Sequence, residues 1–135
     1  MMPDRLGERG FAAFKTAVET GDVEPLMSLC DLEIRFFVPL PFAAWLGEQR
    51  GRERLRELFA FERGAMGMAV TLTCHALLES ADGAVALFEA AGANRGGDYA
   101  NRLAIALRFE SDRLVGFTEY TAQVDPDAVA AVTGN

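Results

Sequence analysis

Two glutamates carry most of the chemistry this sequence offers. Glu119, in "GFTEYTAQ", falls in phase with Phe117 and Thr121, and alternate residues of a strand share one face. If the Phe117 face is interior, a carboxylate points into apolar surroundings. Glu89 is the only charge between Ala84 and Ala93, on a stretch whose two alternating faces are both apolar. A carboxylate taken out of water is costly unless it is paired or protonated. Burial raises its pKa, and a carboxyl poised near neutrality can give or take a proton. Two such groups across one cavity could divide the work, one as acid and one as base. The alternatives for Glu119 are an arginine partner, a subunit interface, or a bulge that turns the side chain outward.

His75 is the one histidine, the side chain best suited to proton transfer near neutral pH. Alternation puts Met68, Val70, Leu72, Cys74 and Ala76 on the core face, leaving His75 outside with Thr71 and Thr73. One residue of slip reverses every side chain, so the placement of His75 depends on register. With one histidine and no paired ligands, metal-type spacing is absent, and no metal site is expected. "ANRGGD" holds glycines but joins two strands and opens no helix, so it offers no nucleotide phosphate site.

The elements that must position these groups follow from the whole chain. Its 135 residues suit one domain, 1–135, with a core of about 5–125 and a short tail at 126–135. Half of the residues are hydrophobic and the net charge is −7, with no coherent basic face. A nucleic-acid surface is therefore not expected. Cys30 and Cys74 lack framework or metal spacing and read as two reduced thiols. The longest apolar stretch, "FFVPLPFAAWL", is broken by Pro39 and Pro41. No membrane span or signal core is legible, and the expectation is a cytoplasmic protein.

Phe11, Phe14 and Val18 recur at helical spacing up to Gly21, and Asp22 reads as the cap of a short second helix, "VEPLMSLC". Leu32, Ile34, Phe36 and Val38 alternate as a strand. A third helix follows Gly51, with Leu55, Leu58 and Phe59 on one stripe, and ends at Gly64. Strands are then predicted near 67–79, 84–93, 98–110 and 113–123, separated by "SADG", "ANRGGD" and "ESDR". Three helices and one strand followed by four strands in a meander is an α+β pattern. The tail "DPDAVAAVTGN" is predicted to add a helical turn.

In order and spacing, "ETGDVEPLMSLCDLEIRFFVPLPF", "GEQRGRERLRELF" and "NRLAIALRFESDRLVGFTEYTAQ" resemble the nuclear transport factor two-like superfamily. Within it, the likeness is to SnoaL-like and ketosteroid-isomerase-like proteins. The resemblance implies a cone: a curved antiparallel sheet wrapped around three N-terminal helices, the cystatin-like or NTF2-like barrel, open at one end into an apolar pocket. In that register Leu103, Ile105 and Leu107 face the pocket with Asn101 near the mouth, together with Phe117, Glu119 and Thr121. The strand at 84–93 turns Leu87, Glu89 and Ala91 inward, and counting back from Gly83 turns His75 inward, against the outward reading that alternation favours. Phe14, Phe36, Val38 and Phe59 line or underlie the cavity. Trp45, with Phe42, either covers the mouth or caps the core edge. Arg102 and Arg108 share the outer face with Ala100, Ala104 and Ala106, and Tyr120 faces outward. The resemblance implies a homodimer through this face.

The isomerase pattern itself is missing. Phe14 stands where that family has a tyrosine, Val38 where it has an aspartate before proline, and Ile105 where it has a second acid. The epoxide-hydrolase Asp-Arg-Asp group is also unmatched. The expected function is a cofactor-independent isomerase, cyclase or dehydratase acting on a small hydrophobic carbonyl compound. Glu119 and Glu89 would be its acid–base pair, with Asn101 in support. The alternatives are a non-catalytic small-ligand binder of the same fold, or a dimeric interaction domain. Fold alone does not choose among them.

Overall fold

A computed structural model describes residues 5–121. The two N-terminal helices are α1 (Leu6–Thr20) and α2 (Glu24–Leu29). The chain continues through β1 (Cys30–Phe37), a 3-10 turn at Ala43–Trp45, a short β2 (Gln49–Arg50) and α3 (Arg52–Arg63). Four long strands follow: β3 (Ala69–Glu79), β4 (Gly83–Asn94), β5 (Gly97–Glu110) and β6 (Arg113–Thr121). The six strands form one curved, unclosed sheet in the order β2-β1-β6-β5-β4-β3. This is the expected α+β architecture. The expected helical turn in the tail lies outside the described residues.

Local signals account for the boundaries. Gly21 ends α1 in the left-handed region, φ 82°, and its N–H donates to the Ala17 carbonyl at 3.0 Å. Only glycine adopts that conformation without a Cβ penalty. Asp22 Oδ1 accepts from the Glu24 amide at 3.2 Å, covering the start of α2. Ser111 and Asp112 both have positive φ, 49° and 64°, as a two-residue hairpin turn matched to strand twist requires. The start of α1 is served across the fold: Glu79 of β3 accepts from the Glu8 amide at 3.1 Å and pairs with Arg5 at 3.2 Å.

Three features depart from the sequence reading, the first being the short strand β2, which was not expected. The sheet is not wholly antiparallel, because β1 runs parallel to β6, with Phe36 beside Phe117. The long connection through α3 and the meander returns the last strand alongside the first in the same direction. The strand β3 also carries a bulge: pairing with β4 shifts between Cys74 and Ala76, leaving His75 as the extra residue. Alternation holds before the bulge, with Val70 and Leu72 buried, and the opposite phase holds after it, with Leu77 packed on the core. Each way of counting holds only on its own side of the bulge: the count that turned His75 inward fails at His75 itself, and Cys74, expected on the core face, is exposed.

The helices lie against the sheet over one core dominated by phenylalanine. Phe14 is central, its ring 6.2 Å from Phe59, 5.9 Å from Phe88 and 6.4 Å from Phe117. Phe36 stacks on Phe117 at 5.4 Å. Such pairs add specific orientation to the area they bury. No described helix is long and apolar enough to cross a membrane.

Candidate functional site

The candidate site lies on the inner face of β6 and its paired neighbour β5, and the charge of Glu119 reaches the last turn of α3 at Glu62. Residues directly opposite in an antiparallel pair share a face. Glu119 lies opposite Ile105, and Thr121 opposite Leu103. Ile105 and Leu103 are buried, as are Leu107 and Phe117, so Glu119 is on the inner face, half-buried beyond Phe117. Burial raises its carboxyl from 4.5 to about 7.

Its partner is Glu62, which the sequence reading missed. The stripe Leu55, Leu58, Phe59 continues at helical spacing to position 62, and its first three members are buried. A carboxylate at the fourth was the available signal. Glu62 is half-buried. Desolvation first, and then the charge of Glu119, raises its carboxyl from 4.5 to about 8. The charge of Glu119 on β6 therefore reaches Glu62 on α3.

Asn101 completes the polar inner face. Its Oδ1 accepts from the Thr121 hydroxyl at 2.7 Å, and its Nδ2 donates to the Tyr99 hydroxyl at 3.2 Å. These two contacts set which way round its amide points. The expected lining residues Phe14, Phe36, Val38, Trp45, Phe59, Leu103, Ile105 and Phe117 all belong to the buried core. Trp45 is only 3% exposed; it packs on Phe61 at 5.8 Å with the Arg54 guanidinium 3.7 Å over its ring. That arrangement is a cap on the core edge.

Glu89, Leu87 and His75 are corrected: they lie on the outer face of the sheet. Even-numbered residues of β4 point inward, with Ala84, Ala86, Phe88 and Ala90 all buried. The pairing sets this phase, since Phe88 lies opposite Leu103, and Glu89 opposite Arg102. Glu89 binds Arg102 Nε at 3.0 Å and His75 Nε2 at 3.2 Å, and its side chain is 40% exposed. The physical reason is simple: Phe88 fills the interior against Phe11 and Phe14, and Glu89 finds charged partners outside. Leu87, Glu89, His75 and Tyr120 border an outer cleft of about 510 Å³. Counting from the two-residue turn Arg95–Gly96 would have paired Glu89 with Arg102 from the sequence.

Both cysteines are free, Cys30 buried and Cys74 exposed. Burial pushes the Cys30 thiol up to about 12, which keeps it protonated and unreactive. Among the described residues, no group of three or more His, Cys, Asp or Glu side chains is arranged to hold a metal.

Known proteins share this architecture. The family model of the SnoaL-like domain matches residues 11–117. An NTF2-like protein from Anabaena variabilis superposes with a TM-score of 0.79 at 20% identity, covering 92% of this chain and 96% of its own. A putative isomerase from Rhodopseudomonas palustris superposes with a TM-score of 0.76 at 17% identity, covering 99% and 100%. A Catenulispora acidiphila protein with a ketosteroid isomerase-like fold, in complex with trimethylamine, has a TM-score of 0.70 at 19% identity, covering 92% and 91%. At these identities the structural likeness concerns the fold. No curated protein matches the sequence.

Proposed function

Because the chain belongs to the SnoaL-like domain family, a fold that serves isomerases and cyclases among others, we propose that its inner face is an acid–base site. It would act on a small, mostly apolar carbonyl compound by moving a proton between carbon and oxygen without a cofactor. One observation carries this reading: Glu119 stands half-buried on the apolar inner face with its carboxyl raised by burial to about 7, and its charge helps raise the half-buried Glu62 to about 8. Between those values Glu62 keeps its proton and Glu119 gives its own up, which supplies a general acid and a general base together. Glu119 removes a proton from the carbon next to the carbonyl. Glu62 donates to the carbonyl oxygen as the enol forms, and reversal of both steps places the proton elsewhere. Asn101 helps to orient the substrate.

The test is hydrogen–deuterium exchange at the α-carbon of a panel of small apolar ketones in D2O, followed by proton NMR. Wild-type protein should accelerate exchange, and Glu119→Gln should lower the rate by about a hundredfold or more. Equal rates for wild type and the Glu62→Gln/Glu119→Gln double variant would overturn the reading.

A second proposal concerns the outer face, where Leu87 and Tyr120 are 41% and 59% exposed. A second copy of the chain covering this face would bury them, in keeping with the homodimer implied by the resemblance. Sedimentation equilibrium of Tyr120→Lys against wild type tests it: a dimer that persists unchanged in the variant excludes this face.

A further inference from the structure

The outer face of the sheet holds a group of side chains that the inner-face reading does not use. Arg35 on β1, Gly116 on β6 and Arg108 on β5 stand in one row: Arg35 lies beside Gly116, and Gly116 beside Arg108. Their chain neighbours Phe36, Phe117 and Leu107 are buried in the core. Successive side chains of a strand alternate, so both arginines point outward, and both are exposed. Their backbones are two strand spacings apart, about 10 Å, with no side chain between them. Arg35, Gly116 and Arg108 line one cleft of about 450 Å³ together with Phe37, Glu48 and Thr118.

Gly116 opens this cleft. It is not among the glycines with positive φ, so its conformation does not require glycine; what glycine supplies is room. A Cβ there would meet the Arg35 carbonyl oxygen at 3.2 Å and stand 3.9 Å from Arg108 Nη2. The Arg108 guanidinium therefore reaches over Gly116 toward β1, across a gap that a larger side chain would fill.

The two charges are left uncompensated. Arg35 stands opposite Arg50 of β2, and like charges directly opposite are destabilising. Arg50 has Glu33 at 3.8 Å, and elsewhere on the outer face Arg102 has Glu89 at 3.0 Å. Among the described residues neither the Arg35 nor the Arg108 side chain has an ion pair or other polar partner. Glu48, the one acid of the lining, pairs with neither and is exposed. In a chain of net charge −7, two unmatched guanidiniums share one cleft.

We propose that this cleft binds the phosphate group of a small molecule. One carboxylate is matched by a single guanidinium fork, whereas a phosphate dianion has oxygens enough for both forks and charge enough for both arginines. The Thr118 hydroxyl is a further donor in the lining, and half-buried Phe37 offers a wall for an apolar part. The site lies on the opposite face of the sheet from Glu119 and does not rest on the acid–base reading.

The experiment is isothermal titration calorimetry at pH 7.5 and low ionic strength with phenyl phosphate, inorganic phosphate and benzoate, a phosphate monoester being largely dianionic there. Phenyl phosphate should bind about tenfold or more tighter than benzoate. Arg35→Gln and Arg108→Gln should each weaken it about tenfold, and Glu48→Gln should tighten it about twofold. Circular dichroism verifies that the variants are folded, and ketone exchange in D2O should be the same in all three as in wild type. Phenyl phosphate binding tighter than inorganic phosphate supports a phosphorylated small molecule as the ligand; equal affinity supports the anion site with free phosphate as its occupant. Benzoate binding as tight as phenyl phosphate, affinity unchanged in both arginine variants, or no binding of any probe overturns the proposal and leaves the acid–base reading standing.

Discussion

The pair Glu62 and Glu119 should make the protein less stable as pH rises, and the size of the effect can be worked out. In the unfolded chain each carboxyl titrates near 4.5; in the fold they titrate at about 8 and about 7. Between those values the folded state binds more protons than the unfolded state, so stability falls with rising pH. The full cost of ionising Glu119 in place is about 3 kcal/mol, and that of Glu62 about 5 kcal/mol. The two costs overlap, because part of the Glu62 shift is the charge of Glu119, and both residues keep some solvent contact that screens them. A combined loss of about 3 kcal/mol between pH 5 and pH 9 is the expected size. Urea unfolding at pH 5, 7 and 9 measures it for wild type, each glutamine variant and the double variant. Subtracting the double variant from wild type cancels every other titrating group. That difference should favour the variant by about 3 kcal/mol at pH 9 and nearly vanish at pH 5. Each single variant should recover more than half, since removing one charge also eases the other. A difference below about 0.5 kcal/mol at pH 9, or one of opposite sign, would refute the burial of this pair.

Four further outcomes follow from particular contacts. If the site turns over a ketone, the rate should rise through about pH 7 as Glu119 ionises and fall above about pH 8 as Glu62 loses its proton; a pH–rate profile in D2O-corrected buffer shows it. Phe14→Ala removes the ring that touches Phe59, Phe88 and Phe117 and should cost about 3–5 kcal/mol in urea unfolding. Glu79→Ala takes away the acceptor for the Glu8 amide at the start of α1 and should cost about 1 kcal/mol by the same measurement. Glu89→Gln breaks only the half-exposed pairs to Arg102 and His75; it should change stability by less than about 1 kcal/mol and leave ligand binding on the inner face untouched.

Much of the architecture was legible from one chain because it rests on local rules. Helical spacing, Gly21, the prolines after β1 and the hairpin turn at Ser111–Asp112 each act within a few residues, and they marked the elements in order. Where one face of a strand is plainly more apolar, as in β5 with Leu103, Ile105 and Leu107, alternation identified the inward side, and the same phase gave Glu119. On β4 both faces are apolar, so its own residues hold no phase information, and Glu89 and Leu87 were assigned to the wrong side. The choice there is made by pairing with β5 and by Phe88 filling the interior, a contact with α1 more than 70 residues away along the chain. The single extra residue at His75 likewise left no mark that alternation could read.

By itself, then, the amino-acid order determined the kinds of element, their succession, the greasy stripe of each helix and the inward phase of β5 and β6. Tertiary structure alone decided which second acid the charge of Glu119 reaches. A helix stripe tells which way Glu62 turns, but not which strand it will face; that depends on how α3 settles against the sheet. The physical reason is that a pKa shift is a property of surroundings, made by water excluded and charges brought near, and those surroundings exist only once distant segments have packed.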